Sequence, residues 1–128
     1  MNKNFNILSI TKEDALSILG PITNFTESIE YSAINASGEN ADITYSTAMK
    51  IITSIKFKSD QIQFNDFQIN KSISTIDLTN YPKPLSINKN EIVFLYSLKY
   101  NEKIIPYFIQ IEITNSIISN IFICFGIS

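Results

Sequence analysis

The chain has 128 residues, a mass of 14.5 kDa and a formal net charge of −2, with a pI near 5.0. It holds ten Lys, one Cys and no His, Trp or Arg. Those zeros exclude Ser-His-Asp and Cys-His catalysis, His- or Cys-built metal centres, a disulfide within the chain and arginine clamps on phosphate. With 45% hydrophobic and 17% charged residues the composition is that of a folded chain, and its length fits a single globular domain over 1–128. Ile occurs 26 times against one Val, and Asn 14 times. This bias toward A/T-rich codons points to an AT-rich, bacterial or viral source genome.

The charges are polarised along the sequence. Residues 13–49 contain six acids, Glu13, Asp14, Glu27, Glu30, Glu39 and Asp42, and no Lys; the rest carries a net +4. An acidic chain without a basic stripe argues against nucleic acid as a partner.

In chain order, residues 5–10 read as a first strand. Thr11 as N-cap, Glu13 and Asp14 in the first turn, and Gly20-Pro21 as terminator predict one short N-terminal helix over about 12–19. A polar loop follows. The alternation of Ile29, Tyr31 and Ala33 predicts a strand over 28–36, paired across the Ser37–Asn40 turn with 41–47. From Ile43 to Phe57 the odd positions are mostly apolar, which predicts one long strand; Tyr45, Met49, Ile52 and Ile55 also fit a helix over 44–55. Ile62 and Phe64, then Phe67 and Ile69, flank a turn at Asn65-Asp66. Tyr81-Pro82-Lys83-Pro84 is an extended loop. Three alternating runs at 92–100, 105–114 and 117–127, separated by Asn101-Glu102 and Asn115-Ser116, predict an antiparallel meander. The last run is apolar on both faces, so it belongs at the centre of a sheet or under another layer, with Cys124 as a buried inert thiol. The fold class expected is α+β, mainly antiparallel β: a strongly curved sheet or a small barrel with the short helix at 12–19. The N-terminal apolar stretch is too short for a signal peptide, and Pro106, Gln110, Glu112, Asn115 and Asn120 interrupt 104–127, so neither secretion nor a membrane is expected and the chain reads as cytoplasmic.

Few motifs carry chemistry. Ser86-Ile-Asn-Lys89 matches S-x-x-K, but that pairing needs a helical turn and this segment leads into a strand. Asn35, Ser37, Glu39 and Asp42 surround a turn with oxygens, yet with fewer carboxylates than a calcium loop uses. No pair of carboxylates stands out for acid-base work. No cofactor, metal or catalytic residue is therefore expected. The candidate partner-binding residues are Glu27, Glu30, Glu39 and Asp42 around the predicted hairpin, as an acidic patch, and Tyr81 as an exposed aromatic anchor; Tyr31 and Tyr45 are expected to face the core. The resulting reading is a non-enzymatic binding protein, of the type of a bacterial immunity protein that neutralises a basic, nuclease-type toxin by occluding its active site. The alternatives are a small-ligand-binding or enzymatic curved-sheet domain, with Tyr96, Tyr100 and Tyr107 lining an apolar pocket, and a structural subunit that forms a homodimer through its sheet.

Overall fold

The computed structural model describes residues 3–4, 13, 16, 18–100 and 102–125. The strands are β1 (Lys3–Asn4), β2 (Ile22–Ser28), β3 (Ala33–Gly38), β4 (Ala41–Ser46), β5 (Ile51–Phe57), β6 (Ile62–Phe64), β7 (Phe67–Gln68), β8 (Ser86–Ile87), β9 (Glu91–Tyr100), β10 (Lys103–Thr114) and β11 (Ile117–Phe125). Two antiparallel meanders, β2–β5 and β8–β11, join where β5 pairs with β11. The result is one eight-stranded sheet of order β2-β3-β4-β5-β11-β10-β9-β8. The described edge strands do not pair with each other, so the sheet is open and the barrel alternative is not realised.

Segment 58–85 connects the two meanders. It leaves the sheet centre at β5 and re-enters at the far edge as β8, so it must cross one face. On the way it forms the β6–β7 hairpin, which joins β1 in a small second sheet, and two 3-10 turns at Ile73–Thr75 and Leu78–Asn80. Backbone bonds from Asn70 N to Ile118 O, Ile118 N to Lys71 O and Ile73 N to Ser116 O fasten it to the start of β11. Ile62, Phe64, Phe67, Ile69 and Ile76 of this cover meet the inward face of the sheet, where Phe57, Phe94, Ile109, Ile111, Ile121 and Ile123 are almost wholly buried. Burial of this one face is the main source of stability.

The C-terminal meander follows the alternation read from the sequence, and β11 is central as expected. Asn115 and Ser116 take φ of 52° and 65°, the left-handed pair that a two-residue hairpin loop requires. Cys124 is exposed, contrary to expectation: Ile121 and Ile123 point inward, so positions 122 and 124 point to the uncovered outer face. The long strand expected over 43–57 is instead the β4–β5 hairpin. Residues 47–50 make a single turn, with Lys50 N donating to Ser46 O at 2.8 Å and Met49 N to Ser46 Oγ at 3.0 Å. The polar loop expected before residue 28 is strand β2. Most of the helix expected over 12–19 lies outside the described residues, as do residues 5–10.

Among the described residues three β-bulges interrupt the sheet, and all three are built alike. The extra residues are Thr23, Thr53 and Ser119. Each donates its hydroxyl to a carbonyl on the facing strand: Thr23 Oγ1 to Ser37 O at 3.2 Å, Thr53 Oγ1 to Thr44 O at 3.3 Å, and Ser119 Oγ to Glu112 O at 3.2 Å. A bulge disrupts the ladder locally, and a hydroxyl at the inserted position adds a bond across the gap.

Candidate functional site

Two surfaces collect the candidate residues, and they lie toward opposite edges of the sheet. The first is the β2–β3 hairpin. Among the described residues strand β2 pairs with β3 alone, with Phe25 opposite Ala36 and Glu27 opposite Ile34. The cover spans the sheet from β5 to β8 and does not reach β2, so Phe25 is 45% exposed although it faces the core side. The turn that follows is ordered: Tyr31 N donates to Ser28 Oγ at 3.2 Å, Ser32 N to Ile29 O at 3.3 Å, and Ser32 takes a φ of 49°. This geometry leaves Ile29 91% and Tyr31 77% exposed, with Glu30 between them. Tyr31 is therefore on the surface and not in the core, whereas Tyr45 is buried as expected.

The structure divides the acidic residues. Glu27 and Glu30 stand at the β2–β3 end of β3. Glu39, in the β3–β4 turn, and Asp42, opposite Ser37, stand at its other end, with the six residues of β3 between the two turns. At about 3.3 Å per residue that is roughly 20 Å. Asp42 is also engaged, its Oδ1 lying 3.2 Å from Lys58 Nζ in a half-exposed ion pair.

Tyr81 belongs to the second surface, an open cleft of about 620 Å³. Gln63, Asn65 and Asp66 of the β6–β7 hairpin form one wall, and Asn80, Tyr81 and Pro82 of the loop form another. Tyr96 of β9 lies between them. Tyr81 is half-buried, not a free anchor. Its ring packs on Phe67 at 5.0 Å and Phe94 at 5.8 Å between centroids, and its hydroxyl donates to Asp66 Oδ2 at 2.5 Å and accepts from Asp66 N at 3.3 Å. Tyr96 is stacked on Tyr107 at 5.4 Å. Tyr96 thus lines the cleft, Tyr107 lies buried behind it, and the cleft is largely polar. Sequence reading missed the cleft, because Asp66 and Tyr81 are 15 positions apart and only the fold of 58–85 joins them.

No protein-family model, curated protein or solved structure matches this chain. Its function is therefore argued from these two surfaces. Among the described residues no group of three or more His, Cys, Asp or Glu gathers to hold a metal ion, and no helix is long and apolar enough to cross a membrane. Ser86 is extended and paired with Val93, so the S-x-x-K match has no helical turn to bring Lys89 to it.

Burial, then the bond to the Asp66 carboxylate, pushes the Tyr81 phenol up to about 12 from 10.0. Burial also raises Tyr96 and Tyr107. Above pH 10 the unfolded chain has lost a phenolic proton that the folded chain still holds, so stability falls as pH rises through the window from 10 to about 12. Absorbance titration of tyrosinate should show a late component that Tyr81→Phe reduces by one phenol and whose Tyr81 share Asp66→Asn moves back toward 10. A Tyr81 phenol titrating at 10.0 would contradict both its burial and the Asp66 bond.

Proposed function

We propose that this chain is a non-catalytic binding protein whose β2–β3 hairpin docks a basic protein partner. The closest functional type is an immunity protein that occludes a nuclease-type toxin in the cytoplasm of a bacterium. One observation favours the reading above others: Ile29 and Tyr31, 91% and 77% exposed, are held outward by an ordered turn and flanked by Glu27 and Glu30. Apolar side chains presented this way cost solubility unless a partner covers them, and Tyr suits a contact with one apolar and one wet end. Beside the turn, β2 has seven residues on an edge that no described strand pairs with, and it contains neither Lys nor Pro, the residues that usually guard such edges. A partner strand added there would gain main-chain bonds, while the two Glu side chains would steer a basic surface into place.

Affinity capture from the source lysate at low and high salt tests the proposal. The wild-type chain and a Glu27→Lys, Glu30→Lys, Tyr31→Ser variant are compared. The expected result is one stoichiometric basic protein, weakened by salt and lost by the variant, whose association rate with that protein falls on the order of 10-fold or more. Equal capture by both chains would discard this surface, and recovery of the chain alone would discard the protein-binding reading.

A further inference from the structure

The cleft is separate from the hairpin and is not used by the reading above. Its two rings are fixed before any ligand arrives. Tyr81 is wedged on Phe67 and Phe94 and tied by its hydroxyl to Asp66, and Tyr96 is stacked within 14° of parallel on Tyr107. Ordering two such rings is a large part of what a weak ligand must otherwise offset, and here packing has already done it. Around them stand three carboxamides, from Gln63, Asn65 and Asn80, and the Asp66 carboxylate; Gln63 Nε2 donates to Asn65 O at 2.9 Å, which holds its side chain in place at the wall.

This set of groups selects a ligand class. Carboxamides both donate and accept, and a carboxylate accepts, which matches hydroxyl groups that need both. Tyrosine rings offer flat apolar faces to the C–H side of a sugar ring. Among the described residues the lining includes no Lys; Lys71 Nζ is spent on the Asp66 carbonyl at 3.0 Å. A phosphate or carboxylate ligand would meet Asp66 with no cation opposite it, so anions are disfavoured. A quaternary ammonium needs rings closing around it, whereas this cleft is open and spans about 620 Å³. We infer that the Tyr81–Tyr96 cleft is a binding site for a neutral saccharide. Among the described residues the lining holds a single carboxylate and not the carboxylate pair that hydrolyses a glycosidic bond, so the inference is one of binding.

The test is a titration of the isotopically labelled full chain, followed by amide and Asn/Gln side-chain NMR shifts. The probes are neutral gluco-, manno- and N-acetylglucosamine trisaccharides, with inorganic phosphate and tetramethylammonium as charged comparisons. The expected result is saturable shifts confined to the cleft with one neutral trisaccharide, at a Kd of about 1 mM or tighter, insensitive to salt. Asn80→Lys, at an exposed position that leaves the core untouched, should weaken that binding about 10-fold or more, the scale of losing a made hydrogen bond. Tyr81→Phe, which keeps the ring, should weaken it less. Cleft shifts with phosphate or tetramethylammonium and none with the saccharides would overturn the inference, as would an absence of cleft shifts with all three trisaccharides at about ten times that concentration. A chain that captures its basic partner normally while ignoring saccharides would sink the cleft inference and leave the hairpin proposal standing.

Discussion

Gly38→Ala should be the most damaging single-methyl change in the protein. A Cβ on Gly38 would sit 2.3 Å from the Leu19 carbonyl oxygen, 2.7 Å from Leu19 Cβ and 2.9 Å from its carbonyl carbon. Two of those three atoms are backbone, so no rotamer change relieves the clash. The obstacle is space and not conformation, since the left-handed glycine is Gly20. Relief requires moving 18–20 away from the sheet, and Asn40 holds that segment down. Its N–H donates to Leu19 O at 2.9 Å and its Nδ2 to Ile18 O at 3.3 Å, while its Oδ1 accepts from Ser59 Oγ at 2.9 Å. Ile18 and Leu19 are themselves core residues, 6% and 0% exposed. Overpacking together with lost buried bonds should cost about 3 kcal/mol or more, out of about 5–15 kcal/mol for a typical domain. For a chain of this size that is a fall in Tm of about 10 °C. Asn40→Ala alone should cost about 2 kcal/mol, and the double variant should fall short of the sum because both changes release the same segment. Urea denaturation read by circular dichroism measures all three. A Gly38→Ala midpoint within error of wild type would mean that Leu19 does not pack there.

How much could be read in advance depended on which faces are buried. The β9–β11 meander was legible because each strand buries one face, which writes a period of two into Ile92 and Phe94, Tyr107 through Ile113, and Ile121 and Ile123. Its turns were legible because Asn and Ser occupy them. Strand β2 was not, because both its faces meet water: nothing forces ITNFTES to alternate, and it reads as a loop. The next misreading follows from that one. With β2 unseen, Ile29 and Tyr31 counted as strand residues in phase with Ala33, when they are the exposed turn between two strands. The hairpin at 43–57 failed for a different reason. Inward-facing Ile52 is even, but the bulge at Thr53 returns Ile55 and Phe57 to the odd phase of Ile43 and Tyr45, so a count of odd and even positions runs straight through the turn at 47–50 as one strand. Of the candidate site residues, the placement of Glu39 at a turn, of Asp42 on the strand after it and of Tyr81 in an extended loop were legible. Whether the acids converge depended on strand order, which no local pattern encodes.

Phe94→Ala should cost about 3–5 kcal/mol, the usual range for deleting a buried aromatic ring. Phe94 is 1% exposed and is the hub of the inner aromatic group, with centroids 5.9 Å from Phe67, 5.8 Å from Tyr81 and 6.1 Å from Tyr96. Its removal leaves a cavity under the cleft, because the rings that would have to collapse into it are held elsewhere, Tyr81 by Asp66 and Tyr96 by Tyr107. The loss should therefore reach the cleft as well as global stability: water entering beneath Tyr81 would let its phenol ionise nearer 10 than 12. Phe94→Leu, which fills most of the volume, should cost about 1 kcal/mol. The informative comparison is Phe122→Ala. In sequence the two residues look alike, each a Phe in an apolar strand. Phe122, however, is half-exposed on the outer face, where Lys56 Nζ lies 5.6 Å from its ring centroid, and no layer of the described chain covers it. Its truncation should cost only about 1 kcal/mol, from partial burial and a surface cation–π contact. If Phe122→Ala destabilises the protein as much as Phe94→Ala does, and the effect grows with protein concentration, then the outer face is buried in solution against a second copy. The inner face would then no longer be the only one that stabilises the sheet.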